Sequence, residues 1–240
     1  MEDLTPLIII GLFAVMLVVE RVRPARPLPR TKWWLGRGIV FFILFMAAGA
    51  VVPMLLAPIL APYALLDGSR LGVAGGALLA VVVLEIVSYW MHRTNHRFHF
   101  LWRWVHQMHH SAERIDVAGS VLFHPNELIV SAALSTTAIV VLGVSGESAA
   151  IAGLTIAFAA FFQHLNLRTP VWLGYIIQRP EGHSVHHQRG VHAYNYGNFA
   201  FSDMLFGTFR NPASFSQTAG FWDGASSRVG SMLVGRDVSA

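Results

Sequence analysis

Residues 71–110 read L-G-V-A-G-G-A-L-L-A-V-V-V-L-E-I-V-S-Y-W-M-H-R-T-N-H-R-F-H-F-L-W-R-W-V-H-Q-M-H-H, and the order of the two halves decides the architecture. Leu71 to Met91 is apolar apart from Glu85 and long enough to cross a bilayer as a helix. It runs straight into His92. Beyond it, His92, His96, His106, His109 and His110 recur at spacings of three and four residues, which on a helix bring side chains to one face. The expectation is that His92 with His96, and His106 with His109 and His110, each present imidazoles in one direction. A second cluster, H-S-V-H-H, supplies His183, His186 and His187. Two H-x-x-H-H motifs from 12 histidines in 240 positions lie far beyond chance.

Composition narrows the class. A hydrophobic fraction of 54% against 12% charged residues departs from the soluble balance, in which about a quarter of residues are charged. With no cysteine, disulfides, thiolate zinc sites and cysteine-held iron-sulfur clusters are excluded, so any metal is held by nitrogen and oxygen. The net charge of +4 does not call for nucleic acid once the basic residues are located.

Apolar segments fall at 4–19, 38–60, 71–91, 128–144 and 149–162, giving an all-α integral membrane protein with four to five transmembrane helices. The first segment has its positive charges after the apolar core, the reverse of a cleaved signal peptide. It therefore reads as an uncleaved anchor with the N-terminus outside. Pro53 and Pro58 predict a kink or an end in the second segment, and Gly72, Gly75, Gly76 and Ala80 allow close helix packing in the third. Gly143-Val144-Ser145-Gly146 predicts a hairpin between the last two. Five crossings place residues 20–37, 92–127 and 164–240 on one side, with six, four and six basic residues, and leave Arg70 opposite. By the positive-inside rule that side is cytoplasmic, and a bacterial inner membrane is the expected location. Trp33, Trp34, Trp90, Trp102 and Trp104 lie at the span ends, as an aromatic belt does. Segments 92–127 and 164–210 then form a cytoplasmic, helical, histidine-rich metal-binding cap, and 211–240 is a polar tail.

Eight box histidines exceed the four to six ligands that one zinc or iron takes, so two metals are expected. His164, in F-F-Q-H-L-N, and His124, in F-H-P-N-E, are further ligand candidates, since an ionisable group at the end of a membrane helix usually faces inward for a reason. Pro180 predicts the first turn of a short helix carrying His183, His186 and His187, with Gly190 as its stop. Glu85 either orients a ligand imidazole through its free ring nitrogen or makes a helix-helix hydrogen bond. Asn195 and Asp203 are candidates for the same orienting role, and His99 and His192 are taken as supporting or surface residues.

These motifs resemble the fatty acid hydroxylase superfamily, which includes sterol desaturases, sterol methyl oxidases and alkylglycerol monooxygenase. The likeness rests on E-I-V-S-Y-W-M-H-R-T-N-H, L-W-R-W-V-H-Q-M-H-H-S, F-H-P-N-E, F-Q-H-L-N, H-S-V-H-H, N-Y-G-N and D-M-L-F-G-T, in that order over residues 85 to 208. Glu85 stands where the family commonly has Asp, and His99 lies outside the pattern. The resemblance implies a non-haem di-iron oxygenase that uses two iron ions, O2 and external electrons to hydroxylate or desaturate a membrane lipid, whether sterol, fatty acyl or ether lipid. No haem or flavin fingerprint is present, so a separate electron-donor protein is expected. The oligomeric state is open. The competing readings are a zinc-dependent membrane hydrolase, for which no H-E-x-x-H motif is present, and a histidine-rich metal transporter, which needs more polar residues at mid-membrane.

Overall fold

The computed structural model describes residues 4–239. Among them the secondary structure is helical, with two isolated β-bridges, Ile177 to Phe199 and Gln188 to Ala219. Four helices are long and apolar enough to cross a membrane: α1 (Thr5–Val22), α2 (Trp34–Leu60), α3 (Gly72–Arg97) and, further on, α6 (Pro125–Leu142). A shorter apolar helix, α7 (Gly146–Phe162), joins them. At 1.5 Å per residue its 17 residues reach about 26 Å, slightly less than the hydrocarbon thickness of a bilayer. Between α3 and α6 lie α4 (His99–Leu101), a π-helical turn (Trp102–His106) and α5 (Gln107–His110). After α7 come α8 (Pro180–His186), α9 (Ala200–Leu205) and α10 (Val229–Leu233).

Against the spans expected from sequence, α2 continues through Pro53 and Pro58 to Leu60, so neither proline ends it. α3 extends past Met91 to Arg97 and carries His92 and His96 on its last turns. α6 and α7 do meet at the expected turn, where Gly143 takes the left-handed conformation (φ +59°) and the Ser145 hydroxyl caps Ser148 N–H. Their arms, however, pack on other helices: α6 on α2 and α3, α7 on α3 and α1. Small side chains make the α3–α7 contact close, as expected of that stripe: the Ser148 hydroxyl donates to the Val73 carbonyl at 3.0 Å, and a Cβ on Gly76 would sit 2.7 Å from Ser148 Oγ. Outward faces remain apolar, with Ile43, Met54, Leu55 and Ile59 all more than half exposed on α2.

One end of the helical bundle gathers nearly all the polar structure. The 23–33 connection is tied to the segment after α7 by Ala25 N–H to the Asn166 carbonyl (2.8 Å), and Trp34 Nε1 donates to Asp116 at 2.8 Å. The opposite end is closed by Leu65, Leu66 and Ser69 backbone donors on the end of α6 and its cap. Sixteen of the seventeen basic residues therefore belong to segments at the histidine end, and Arg70 lies at the other. An aromatic cluster locks the helices just inside that end: Phe13 stacks on Phe42 at 4.1 Å and meets Phe161 edge-on at 5.5 Å.

The tail is not a loose appendage. Met232 and Ala225 are fully buried, Gln107 Nε2 donates to the Arg236 carbonyl at 2.9 Å, and Arg103 Nε donates to the Gly235 carbonyl at 2.8 Å. These contacts brace the π-helical turn from outside. A π turn holds one residue more than an α turn, and such insertions mark functional sites often.

Candidate metal centre

Nine imidazoles, from the three box motifs and the end of α7, converge at this end of the bundle into two groups among the described residues. One contains His92, His96, His106, His110 and His186; the other contains His109, His164, His183 and His187, with the ligand atoms of each group within 4.8 Å of one another. Each H-x-x-H-H motif divides. Residues four apart on a helix lie about 40° apart around its axis, whereas the residue three along falls on the other side of the pair. His106 and His110 therefore join the first group and His109 the second. In the other motif His183 and His187 join the second group and His186 the first. Each motif gives a pair to one group and its intermediate histidine to the other, so the expectation that each motif points in one direction is corrected. The groups adjoin: His187 lies 4.3 Å from His110 and 5.3 Å from His186, centroid to centroid.

Ring nitrogens away from the centre decide what those facing it can do. His92 Nδ1–H donates to the Tyr196 carbonyl at 2.7 Å, His186 Nδ1–H to the Tyr194 carbonyl at 2.7 Å, and His164 Nδ1–H to the Ala160 carbonyl at 2.8 Å. A carbonyl only accepts, so each of these rings carries its proton on Nδ1 and turns a lone pair on Nε2 inward. His106 does the same through Glu127 Oε1 at 2.6 Å. Around the centre, Nε2 atoms of His106, His110 and His186 stand 3.0 and 3.1 Å apart, and those of His109, His164, His183 and His187 stand 3.0 to 3.2 Å apart along the series. His106 and His186 both turn lone pairs toward His110 Nε2, which can donate to only one of them, so the remaining contact is repulsive unless a cation lies among them. Buried Nε2 atoms of His92 and His96 have no hydrogen-bond partner among the described residues. Burial and neighbouring imidazoles hold His106, His109, His110, His183, His186 and His187 well below the ordinary imidazole range, and burial brings His164 to about 4. Neutral imidazole is the metal-binding form. The donor set fits two nitrogen-liking divalent metals.

The loop at 194–198 aims two of these rings. Tyr194 and Asn195 adopt left-handed backbone conformations (φ +68° and +49°), costly for non-glycine residues and typical of sites the fold over-determines. Asp203, expected to orient a ligand ring, acts one bond removed: it accepts from Tyr196 N–H and Gly197 N–H at 2.9 Å each, fixing the peptide whose carbonyl receives His92. Asn195 touches no ring either; its amide donates to the Gly182 and Arg210 carbonyls and accepts from Arg210 N–H, tying the loop to α8. Glu85 contacts no ring and bonds no spanning helix. Its carboxylate accepts from Asn198 N–H, the Asn198 amide, Phe199 N–H and the Ser202 hydroxyl, at 2.6 to 3.2 Å.

His124 falls outside both groups. Its Nδ1 accepts from Asn126 N–H at 3.1 Å as the N-cap of α6, and its Nε2 is 3.4 Å from the Leu233 carbonyl, so its nitrogens are spent on a helix start and a tail contact. His192 Nδ1 stands 3.1 Å from His110 Nδ1 and supports that ring, whereas His99 is exposed beside Asp237. Sequence reasoning missed Glu127. The signal that could have found it is the requirement that a metal-bound imidazole hold a partner on its second nitrogen, together with a carboxylate in the first turn of a membrane helix. Replacing Glu127 by Leu is expected to weaken metal retention by roughly 10–100-fold, as loss of such a partner does; competitive titration of the purified variant with a chelator measures it.

A cavity of about 490 Å³ opens from this centre into the bundle between α2, α3, α6 and α7. At one end it touches His92, His106, His109, His164 and His183; at the other it reaches Ala57, Val140 and Ala149. Ala149 and Ala160 both line it, eleven residues apart along α7 or about 16 Å, so the cavity runs along much of that helix. Leu84, Leu128, Ile139 and Ile156 make its walls largely apolar.

A curated relative, the ornithine lipid hydroxylase OlsE of Rhizobium tropici, is 33% identical over 146 residues, which is 59% of this chain and 44% of the relative. The chain's match thus spans less than half the length of that relative. No solved structure matches the chain. The family profile described as fatty acid hydroxylase matches residues 77–208, the stretch from the second turn of α3 to just beyond α9, which carries all nine of these imidazoles. With the order of its histidine motifs, its helical bundle and this match, the chain belongs to the fatty acid hydroxylase family.

Proposed function

We propose that this protein is a membrane-bound di-iron oxygenase that hydroxylates or desaturates a lipid, using O2 and electrons from a separate donor protein. The observation that carries the reading is the meeting of two all-nitrogen groups with the end of a long apolar cavity. His92, His96, His106, His110 and His186 would hold one iron, and His109, His164, His183 and His187 the other. Five and four nitrogens leave open positions on six-coordinate ions. When bound, the pair supplies the O2 activation and C–H oxidation that side chains alone do not perform.

The chain's own residues bind and position. The apolar walls between α2, α3, α6 and α7 take a lipid chain out of the bilayer without exposing it to water, and the imidazole end fixes which carbon faces the metals. Glu127 and the carbonyls of Ala160, Tyr194 and Tyr196 hold four of the rings in one tautomer, which keeps the inward Nε2 of His106, His164, His186 and His92 available. The basic residues gathered at the histidine end support a cytoplasmic location for it, with the N-terminus of α1 outside. Electrons then arrive from the aqueous side.

Comparison of lipid extracts from cells expressing the intact chain and a His109→Ala variant tests the function. A lipid heavier by one oxygen or lighter by two hydrogens is expected only with the intact chain; identical extracts would refute the reading. A second expectation concerns the cavity. Gly153 lines it, and a Cβ there meets nothing within 4 Å. Gly153→Phe is expected to lower turnover of long-chain lipids at least about tenfold, since the ring takes the space of several methylenes, with unchanged metal content. Turnover assays across chain lengths, paired with metal quantification, check this.

A further inference from the structure

Gln163 has no part in the reading above. It sits immediately before His164, lines the cavity, is 7% exposed, and its Oε1 is buried with no partner among the described residues. A buried, unmatched amide oxygen costs on the order of 1–3 kcal/mol, so native structures leave few of them unexplained.

The amide orientation follows from a relay and is not arbitrary. Glu85 Oε2 is an acceptor in this setting, because the backbone N–H of Asn198 donates to it at 3.2 Å. Asn198 therefore presents its NH2 to Glu85 at 3.2 Å, which turns Asn198 Oδ1 away. Gln163 must then give its own NH2 to that oxygen, as it does at 3.2 Å. Flipping Gln163 would set two oxygens against each other. The relay thus fixes the carbonyl oxygen of Gln163 on the branch left over, at the metal end of the cavity and beside Tyr196 and Asn198.

We infer that Gln163 Oε1 is a substrate-recognition point for a lipid carrying a hydrogen-bond donor, an amide N–H or a hydroxyl, close to the carbon that is oxidised. The inference rests on the lipid reading and adds a requirement to it. The donor lies near the reactive carbon because Gln163 and His164 line the same cavity, and His164 Nε2 faces the other imidazoles. A lipid with no donor at that position leaves the oxygen unmatched. A site built to bond a substrate N–H or O–H discriminates strongly against the analogue lacking it.

Two lipids of equal chain length, one an N-acyl amide with a free N–H and the other its N-methylated counterpart, test this without any mutation. Equilibrium binding to the purified protein, followed by quenching of its tryptophan fluorescence, is expected to favour the N–H lipid at least about tenfold, the effect of one net hydrogen bond at a buried site. In Gln163→Met, which keeps the length and loses the oxygen, the ratio is expected to fall towards one. Equal binding of the two lipids by the unaltered protein, or an unchanged ratio in Q163M, overturns the inference. If both lipids bind equally and both are oxidised, the lipid reading stands and only the recognition point falls. If neither binds nor is oxidised, both fall.

Discussion

His186→Ala and His183→Ala are expected to deplete different metals. His186 belongs to the five-histidine group and His183 to the four-histidine group although they share one turn of α8. Each variant should fall to about one ion per chain, and lipid oxidation should drop well beyond the roughly 10–100-fold typical of losing an outer partner of a ligand. His109→Ala should resemble His183→Ala, and His110→Ala should resemble His186→Ala, because the motifs exchange their members between groups. Metal quantification of the four variants, with the residual ion characterised by its spectrum, checks the pairing. If H183A and H186A leave the same residual site, the assignment of the two groups is wrong.

The second large effect is expected at Glu85, far from any ring. Its carboxylate takes four hydrogen bonds from residues 198–202, and Gly197 is packed so closely on it that a Cβ at Gly197 would collide with Glu85 Oε1 and Ser202 Oγ. Glu85→Leu leaves those donors buried without an acceptor, and each such group costs about 1–3 kcal/mol. Loss of several together is expected to destabilise the protein by roughly 3–5 kcal/mol, the range for breaking a buried charged network. The 194–198 loop should loosen with it, releasing the carbonyls of Tyr194 and Tyr196 from His186 and His92. Thermal unfolding in detergent and metal content are the readouts; unchanged values for both would contradict this role. Glu85→Asp is expected to be milder, since a carboxylate persists and only its reach is shortened.

Much of this was legible in the sequence, and the reasons differ by residue. Apolar length announced the spans, and i, i+4 spacing announced His92 with His96 as a pair. His164 could be picked because a membrane helix ends on an ionisable side chain without need unless something is to be held. His124 looked equivalent and was not, because a histidine before Pro125-Asn126 can equally cap a helix, and spacing alone does not separate the two uses. The division of each H-x-x-H-H motif between two groups depends on how α5 faces α8 across the centre, which is a tertiary fact with no local pattern. The same holds for the carbonyls of Ala160, Tyr194 and Tyr196: backbone acceptors leave no mark in residue identity. Glu85, Asn195 and Asp203 stand out in sequence as polar residues, but their contacts to the loop, and not to the rings, depend on the fold.

The most direct measurement is mass spectrometry of lipids after turnover of iron-loaded protein, reductant and bilayer lipid under 18O2. The expected result is a product formed only when O2 is present, either carrying one 18O atom or lacking two hydrogens, from protein that holds two irons per chain. A product formed equally without O2, or lipid left unchanged by protein holding both irons, would contradict it.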